Sequence, residues 1–269
     1  MGIWLGPRGK TVITENDFSY SGNYLFKSDG KHWELALLEG NAESLVFTKN
    51  PGLCDIFTVA GGKPGRAYPN TSNAYYGPSH GGYGGDGGGC VNEDGVRLSA
   101  NTNYAVTIGT SGQNSSFIGG DVSITAVSGN GSPGGVGGIA AQDITTNATA
   151  GTGGVYAYNK SSDTLMFTET EFPGHLFGPG GGGAAAELGV DRSKDASGAL
   201  GGESNGPNHE YGKGAPGGTY GRNGSNGYAN HGQGGGGPQY WWLTTGAGAS
   251  RTGDPGAGGS GVIFIRDAR

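Results

Sequence analysis

Asn50-Pro51-Gly52-Leu53-Cys54-Asp55-Ile56-Phe57-Thr58-Val59-Ala60-Gly61-Gly62 is the stretch on which the reading of the fold turns. Asn-Pro-Gly is turn chemistry. Residues 55–60 are apolar and partly β-branched, which predicts a largely buried strand. The strand runs straight into paired glycines. Upstream of it, composition is ordinary; downstream, from 61 to about 260, glycine dominates.

Working outward, further strands are predicted on both sides. Upstream they are Thr11–Thr14, Asn23–Lys27, Trp33–Leu37 and Ser44–Thr48, bounded by turns such as Ser28-Asp29-Gly30. Downstream they are Tyr104–Ile108, Asp121–Val127, Thr164–Thr168 and the terminal Gly261–Arg266. Short strands separated by turns predict an all-β chain, a jelly-roll-like β-sandwich. The glycine tracts are then insertions on that sandwich.

The chain has 269 residues, of which 62 are glycine and 12 proline, a composition that raises the question of disorder. The 10% aromatic and only 14% charged content argues for a folded protein. Glycine is unfavourable by about 1 kcal/mol per interior helix position, so long helices are not expected. A net charge of −6 with scattered Lys and Arg offers no footprint for nucleic acid. No apolar run approaches the ~18 residues of a membrane helix. The start, MGIWLGPRGKTV, lacks the apolar core of a secretory signal.

The glycine is patterned. His80 is followed by three Gly-Gly-X triplets, and Gly218, Gly221, Gly224 and Gly227 recur every third residue. So do Gly253, Gly256 and Gly259. Three is the repeat of polyproline II, and glycine at every third position lets such helices approach closely. Inserted, mutually packed polyproline-II helices and long loops are therefore expected; flexible glycine loops are the alternative.

Residues 50–62 resemble the start of the glycine-rich domains of bacteriophage tail proteins, especially those of gut Firmicutes phages and prophages. The family pattern continues as Tyr-x-Val-Thr-Ile-Gly, a Ser-Ser-Phe element, more glycine and a closing Gly-Gly-Ser-Gly-(Ile/Val)-(Ile/Val)-x-Ile-Arg. Here Tyr104–Gly109, Ser115-Ser116-Phe117, Gly178–Gly183 and Gly258–Arg266 supply it. More loosely, the chain is similar to the glycine-rich region of the anaplastic lymphoma kinase ectodomain and to the fibre-tip adhesins of T-even-like phages. The chain departs from the pattern at Lys63-Pro64-Gly65-Arg66-Ala67-Tyr68-Pro69-Asn70, where unbroken glycine is usual. That departure predicts a first glycine helix shortened or replaced by an aromatic loop.

The resemblance implies a non-enzymatic adhesin of a virion tail or tail fibre, made in the bacterial cytoplasm. Its partners would be a bacterial surface receptor, glycan or protein, and other tail or fibre proteins. A homo-oligomer is implied, a trimer by analogy with three-fold fibres. Residues 33–269 would form the glycine-rich domain and 1–32 an attachment segment with short strands. The alternative is a structural or assembly protein of the tail, with its aromatic residues buried in subunit contacts.

The residues themselves point to no reaction. Gly-x-Gly-x-x-Gly matches arise by chance in so glycine-rich a chain, and none opens a helix after a strand. His32, His80, His175, His209 and His231 have no metal-ligand spacing. Glu187, Asp191, Asp195, Glu203 and Glu210 are scattered carboxylates without a calcium motif. No cofactor, metal or catalytic residue is assigned. Cys54 and Cys90 are read as buried free thiols, with a disulfide as the alternative.

The aromatic residues within glycine segments are the most informative feature. They include Tyr68, Tyr156, Tyr158, Phe172 and Phe177. Tyr and Trp bring large contact area with few rotatable bonds, which suits recognition surfaces. Tyr75, Tyr76, Tyr83, Tyr211, Tyr220, Tyr228, Tyr240, Trp241 and Trp242 are the candidate receptor-binding residues. For Trp241-Trp242, packing against the sandwich or a subunit is the competing reading.

Overall fold

The structure is a computed structural model. It describes residues 11–66, 82–129, 135, 137, 151, 153–159, 165–183, 223–238, 240–241 and 251–269, with the side chains of 159, 240, 241, 251 and 252 excepted. Among them no helix is long and apolar enough to cross a membrane.

The protein is all-β. One sheet has the order β1 (Phe18–Tyr20), β4 (Asn41–Phe47), β7 (Asn103–Thr107), β8 (Ser115–Gly119), β9 (Val122–Ala126). The other runs β2 (Tyr24–Ser28), β3 (Trp33–Leu37), β14 (Val262–Asp267), β5 (Gly52–Val59), β6 (Cys90–Leu98). All pairings in both are antiparallel. The last strand is thus the centre of its sheet, held between β3 and β5. β1 and β2, which fall within residues 1–32, are hydrogen-bonded strands of the two sheets.

The sheets pack face to face. Trp33, Leu35 and Leu37 of β3, Cys54 and Ile56 of β5, and Ile263 and Ile265 of β14 meet Leu45, Phe47, Tyr104, Val106, Phe117 and Ile124 of the facing sheet. Tyr104 stacks on Phe117 with ring centres 5.0 Å apart, and its hydroxyl accepts the Ser99 N–H at 2.8 Å. Ser115 Oγ, fully buried, accepts from Gly109 N–H and donates to the Val59 carbonyl (2.8 and 2.7 Å). The Tyr-x-Val-Thr-Ile-Gly and Ser-Ser-Phe motifs are therefore clamps of the sandwich.

The β14 sheet is buried on its second face as well. Phe57, Val59, Val262 and Phe264 pack there against Tyr158, Phe167, Phe172 and Phe177. Burying each such ring contributes about 1.5–3 kcal/mol. Tyr158, Phe172 and Phe177, aromatic residues within glycine segments, are thus core rather than recognition surface. Phe167 belongs to the same layer, and residues 165–168 form no strand where one was expected. The expected strand at 11–14 is also absent; Thr14 instead precedes a 3-10 turn, Glu15–Asp17, and the Asp17 carboxylate accepts its N–H. Three sandwich strands are not among those expected: β1, polar β6, paired along its length with β5, and β8; nor are the two-residue β10 (Val155–Tyr156) and β11 (Leu176–Phe177).

The glycine tracts form a hydrogen-bonded bundle. Six continuous described segments make most of it, 61–66, 82–89, 178–183, 223–227, 232–238 and 253–261, and Gly135 joins them by accepting from Gly87 and donating to Gly178. Partners repeat every three residues, as polyproline II requires. Gly234 and Gly237 donate to the carbonyls of Pro179 and Gly182. Gly82, Gly85 and Gly88 donate to Pro238, Gly235 and Gly232. Gly62 and Gly65 donate to Gly259 and Gly256. Over the described part of the departure the bundle's bonding continues, Lys63 and Arg66 donating to Asp86 and Tyr83; residues 67–70, with Tyr68, lie outside the described residues. The Lys63 side chain turns outward to the Gly129 carbonyl at 2.7 Å.

Segment 232–238 is central, bonded to all five others. This explains Gly234-Gly235-Gly236-Gly237. An outer segment faces neighbours on part of each turn and needs glycine only there. The central one is surrounded, so a Cβ on Gly234 would overlap the Gly85 carbonyl oxygen, and one on Gly235 that of Gly256.

Candidate functional site

The bundle has two ends. At the sandwich end, Gly88 bonds to Gly232, Gly178 to His231, and Gly261 to Gly109. At the outer end lie Arg66, Tyr83, Gly183, Asn223, Pro238 and Gly253. About six residues at ~3.1 Å rise separate the two, roughly 19 Å.

Chain direction alternates between these ends. Segment 61–66 runs outward and 82–89 returns; 178–183 runs outward and 223–227 returns; 232–238 runs outward and 253–261 returns. Chain segments 67–81, 184–222 and 239–252 therefore all join at the outer end. Their roots are mutually bonded. Arg66 and Tyr83 exchange both backbone hydrogen bonds at 2.8 Å. Gly82 donates to Pro238 at 2.7 Å, Gly237 to Gly182 at 2.9 Å, and Gly236 to Ser225 at 2.9 Å. β12 (Tyr240–Trp241) pairs with β13 (Arg251–Thr252) at the root of the third segment.

Side chains lock the outer rim. Asn223 and Asn226 take the amide N–H groups of Asp254 and Ala257 on their side-chain oxygens, at 2.7 and 2.9 Å. These two asparagines keep the three-residue spacing of Gly224 and Gly227 and face outward from the bundle. That spacing is legible in the sequence, where nothing marks the two asparagines as distinct from other polar residues of the tract. Arg66 and Asp254 are exposed there, and Tyr83 is half-buried.

The candidate aromatic residues divide accordingly. Tyr83 and the Tyr240–Trp241 backbone are at the outer end. Tyr75, Tyr76, Tyr211, Tyr220 and Trp242 lie outside the described residues, on segments rooted at that end. Tyr228 is at the sandwich end instead: its ring meets His231 edge-on at 4.7 Å between centres, and its N–H goes to the Gln233 side chain. It does not share a surface with Tyr83.

His231 is held in that layer. Its ring stacks on Phe177 at 5.1 Å, and burial pushes its pKa down to about 4. Among the described residues, no group of three or more His, Cys, Asp or Glu side chains could hold a metal ion.

The arrangement can do one thing well. It fixes the roots of several long chain segments at one end of a scaffold packed largely backbone to backbone, with the Asn223 and Asn226 side chains bonding at its edge. No protein-family model matches the chain, and no curated protein sequence matches it.

Proposed function

We propose that this protein is a non-enzymatic adhesin of a bacteriophage tail or fibre tip. It recognises a bacterial surface receptor, glycan or protein, through aromatic residues on the segments rooted at the outer end of the glycine bundle. Tyr75, Tyr76, Tyr83, Tyr211, Tyr220, Tyr240, Trp241 and Trp242 are the contact residues in this reading; Tyr228 is not. The protein acts in the virion, as a homo-oligomer joined to other tail or fibre proteins.

The observation that carries the proposal is the common root of segments 67–81, 184–222 and 239–252. A backbone-bonded bundle tolerates changes in those segments because its stability rests on glycine contacts, not on their side chains. Function carried by variable segments on a rigid scaffold is the general design of recognition proteins. The motif order resembling phage tail domains supports the same reading.

The test is binding of purified, labelled protein to a panel of intact gut bacteria. Strain-restricted, saturable binding supports the adhesin. Binding to no strain, together with aggregation outside an assembly, favours a tail assembly protein.

A further inference from the structure

A second, separate feature lies at the sandwich end. A cleft of about 630 Å³ opens where the sandwich meets the glycine bundle. That volume is within the ~300–1,000 Å³ range of small-molecule sites. Three parts of the chain converge on it: the β1–β2 turn with Ser21 and Asn23, the β3–β4 turn with Glu39 and Asn41, and the bundle with Asn230 and Ser260. We propose that this cleft binds a neutral or amino-bearing saccharide.

The polar groups are pre-arranged. Asn23 Nδ2 donates to Glu39 Oε2 at 2.6 Å, and Ser21 Oγ donates to Glu43 Oε2. Each carboxylate is thus oriented through one oxygen. The Tyr20 hydroxyl holds the Glu39 carbonyl at 2.5 Å. Asn230 N–H donates to Ser260 Oγ at 2.9 Å, fixing the bundle wall.

Two backbone features shape the walls. Ala42 has φ +61° at a bulge that shifts the β4–β7 register between Asn41 and Glu43, both of which line the cleft. Asn230, on the opposite wall, has φ +60°. Non-glycine residues in this region are uncommon, and such conformations collect at binding sites.

The chemistry selects the ligand. Sugar hydroxyls donate and accept at once. Carboxylates accept strongly from them, and the Asn41 amide offers both donor and acceptor, while Asn230 Oδ1 accepts from Ser260 Oγ at 3.2 Å. Gly22 and Gly40 let the two turns close on each other and on Tyr20, since a Cβ on Gly22 would overlap the Glu39 carbonyl oxygen and one on Gly40 the Tyr20 hydroxyl, while Leu38 and Ala229 supply an apolar patch for the C–H face of a ring. The lining holds two glutamates and no lysine or arginine. It therefore repels sialic acids, uronic acids and phosphorylated sugars, and favours neutral sugars or free amino sugars.

The test is saturation-transfer NMR of the full chain against neutral, amino and sialylated oligosaccharides, repeated with Glu43→Gln and Asn41→Ala. Both side chains are on the rim, so unchanged melting temperatures are expected. Neutral or amino members should bind, and both substitutions should weaken binding about ten-fold or more. Tyr75→Ala/Tyr76→Ala should leave this binding intact, which separates the cleft from the outer-end adhesin. Binding by no saccharide, preference for sialylated ones, or indifference to both rim substitutions would overturn the proposal.

Discussion

The Arg266 guanidinium lies over the ring of Tyr158, with its carbon 3.6 Å from the ring centre. Arg266 is the closing residue of the Gly-Gly-Ser-Gly-Val-Ile-Phe-Ile-Arg motif. Across the sheet it stands opposite Glu34 of β3 on one side and Asp55 of β5 on the other. Its Nε and Nη2 each reach Asp55 Oδ2 at 3.3 Å. Glu34 takes the Tyr158 hydroxyl at 2.9 Å and the Met166 N–H at 2.6 Å. Burial raises the Glu34 pKa, with those hydrogen bonds and Arg266 opposing the rise.

Removing Arg266 leaves acidic groups buried without their cation. Arg266→Met should lower unfolding free energy by about 3–5 kcal/mol. Arg266→Lys should also destabilise, since an ammonium cannot both lie over the ring and reach Asp55 through two nitrogens. Urea unfolding of the variants measures both. Wild-type stability in Arg266→Met would refute the structural role assigned to this motif.

Glycine at the bundle centre is a steric requirement. Gly234→Ala places a methyl group in the Gly85 carbonyl and should prevent formation of the bundle, seen as aggregated or protease-sensitive protein. Gly30 has φ +82° and open space around it. Gly30→Ala should therefore lose only about 1–2 kcal/mol of left-handed strain and remain soluble. Equal behaviour of the two variants would contradict the packed bundle.

His231 gives the protein an acid limit. Its folded pKa, about 4, lies below the unfolded value near 6.5. The unfolded state binds the extra proton first, so this contribution to stability is whole above about pH 6.5. It is lost progressively as pH falls towards 4. The full loss is about 3 kcal/mol. His231→Gln should flatten the stability profile in that window, as read by melting temperature between pH 7 and pH 4. An unchanged slope would remove His231 as its source.

Cys54 and Cys90 are free and buried. They belong to the packing layers on opposite faces of the β14 sheet, which settles the disulfide question against pairing. Burial pushes the Cys90 thiol up to about 12 and raises Cys54 further. Neither should react with a thiol reagent until the protein unfolds, when two thiols should titrate. Reductant should leave the melting temperature unchanged. A fast-reacting thiol in the folded state would contradict this burial.

The sequence was most informative where periodicity and packing agree. β3 matches its predicted span, and β5, β7, β9 and β14 match to within a few residues, because their alternating or continuous apolar runs are what a two-sided sheet buries. The three-residue glycine repeat likewise matches the bundle's bonds. β6 was invisible because Asn92, Glu93 and Asp94 give it no apolar pattern; its pairing with β5 overrides its composition. The layer of Tyr158, Phe167, Phe172 and Phe177 was misread for the opposite reason. Aromatic residues among glycines look like exposed loop residues until a second buried sheet face is known. The cleft is a meeting of turns distant in sequence, and only the fold brings Asn23, Glu43 and Asn230 together.

The central claim is that the outer end of the bundle recognises bacteria. It is tested most directly by cell binding of two variants, Tyr75→Ala/Tyr76→Ala and Trp241→Ala/Trp242→Ala, beside the wild-type protein on a strain panel. The account predicts that the wild-type protein binds a restricted set of strains. It also predicts that at least one variant loses that binding while keeping the wild-type melting temperature. Undiminished binding by both folded variants, or no binding by the wild-type protein to any strain, would contradict it.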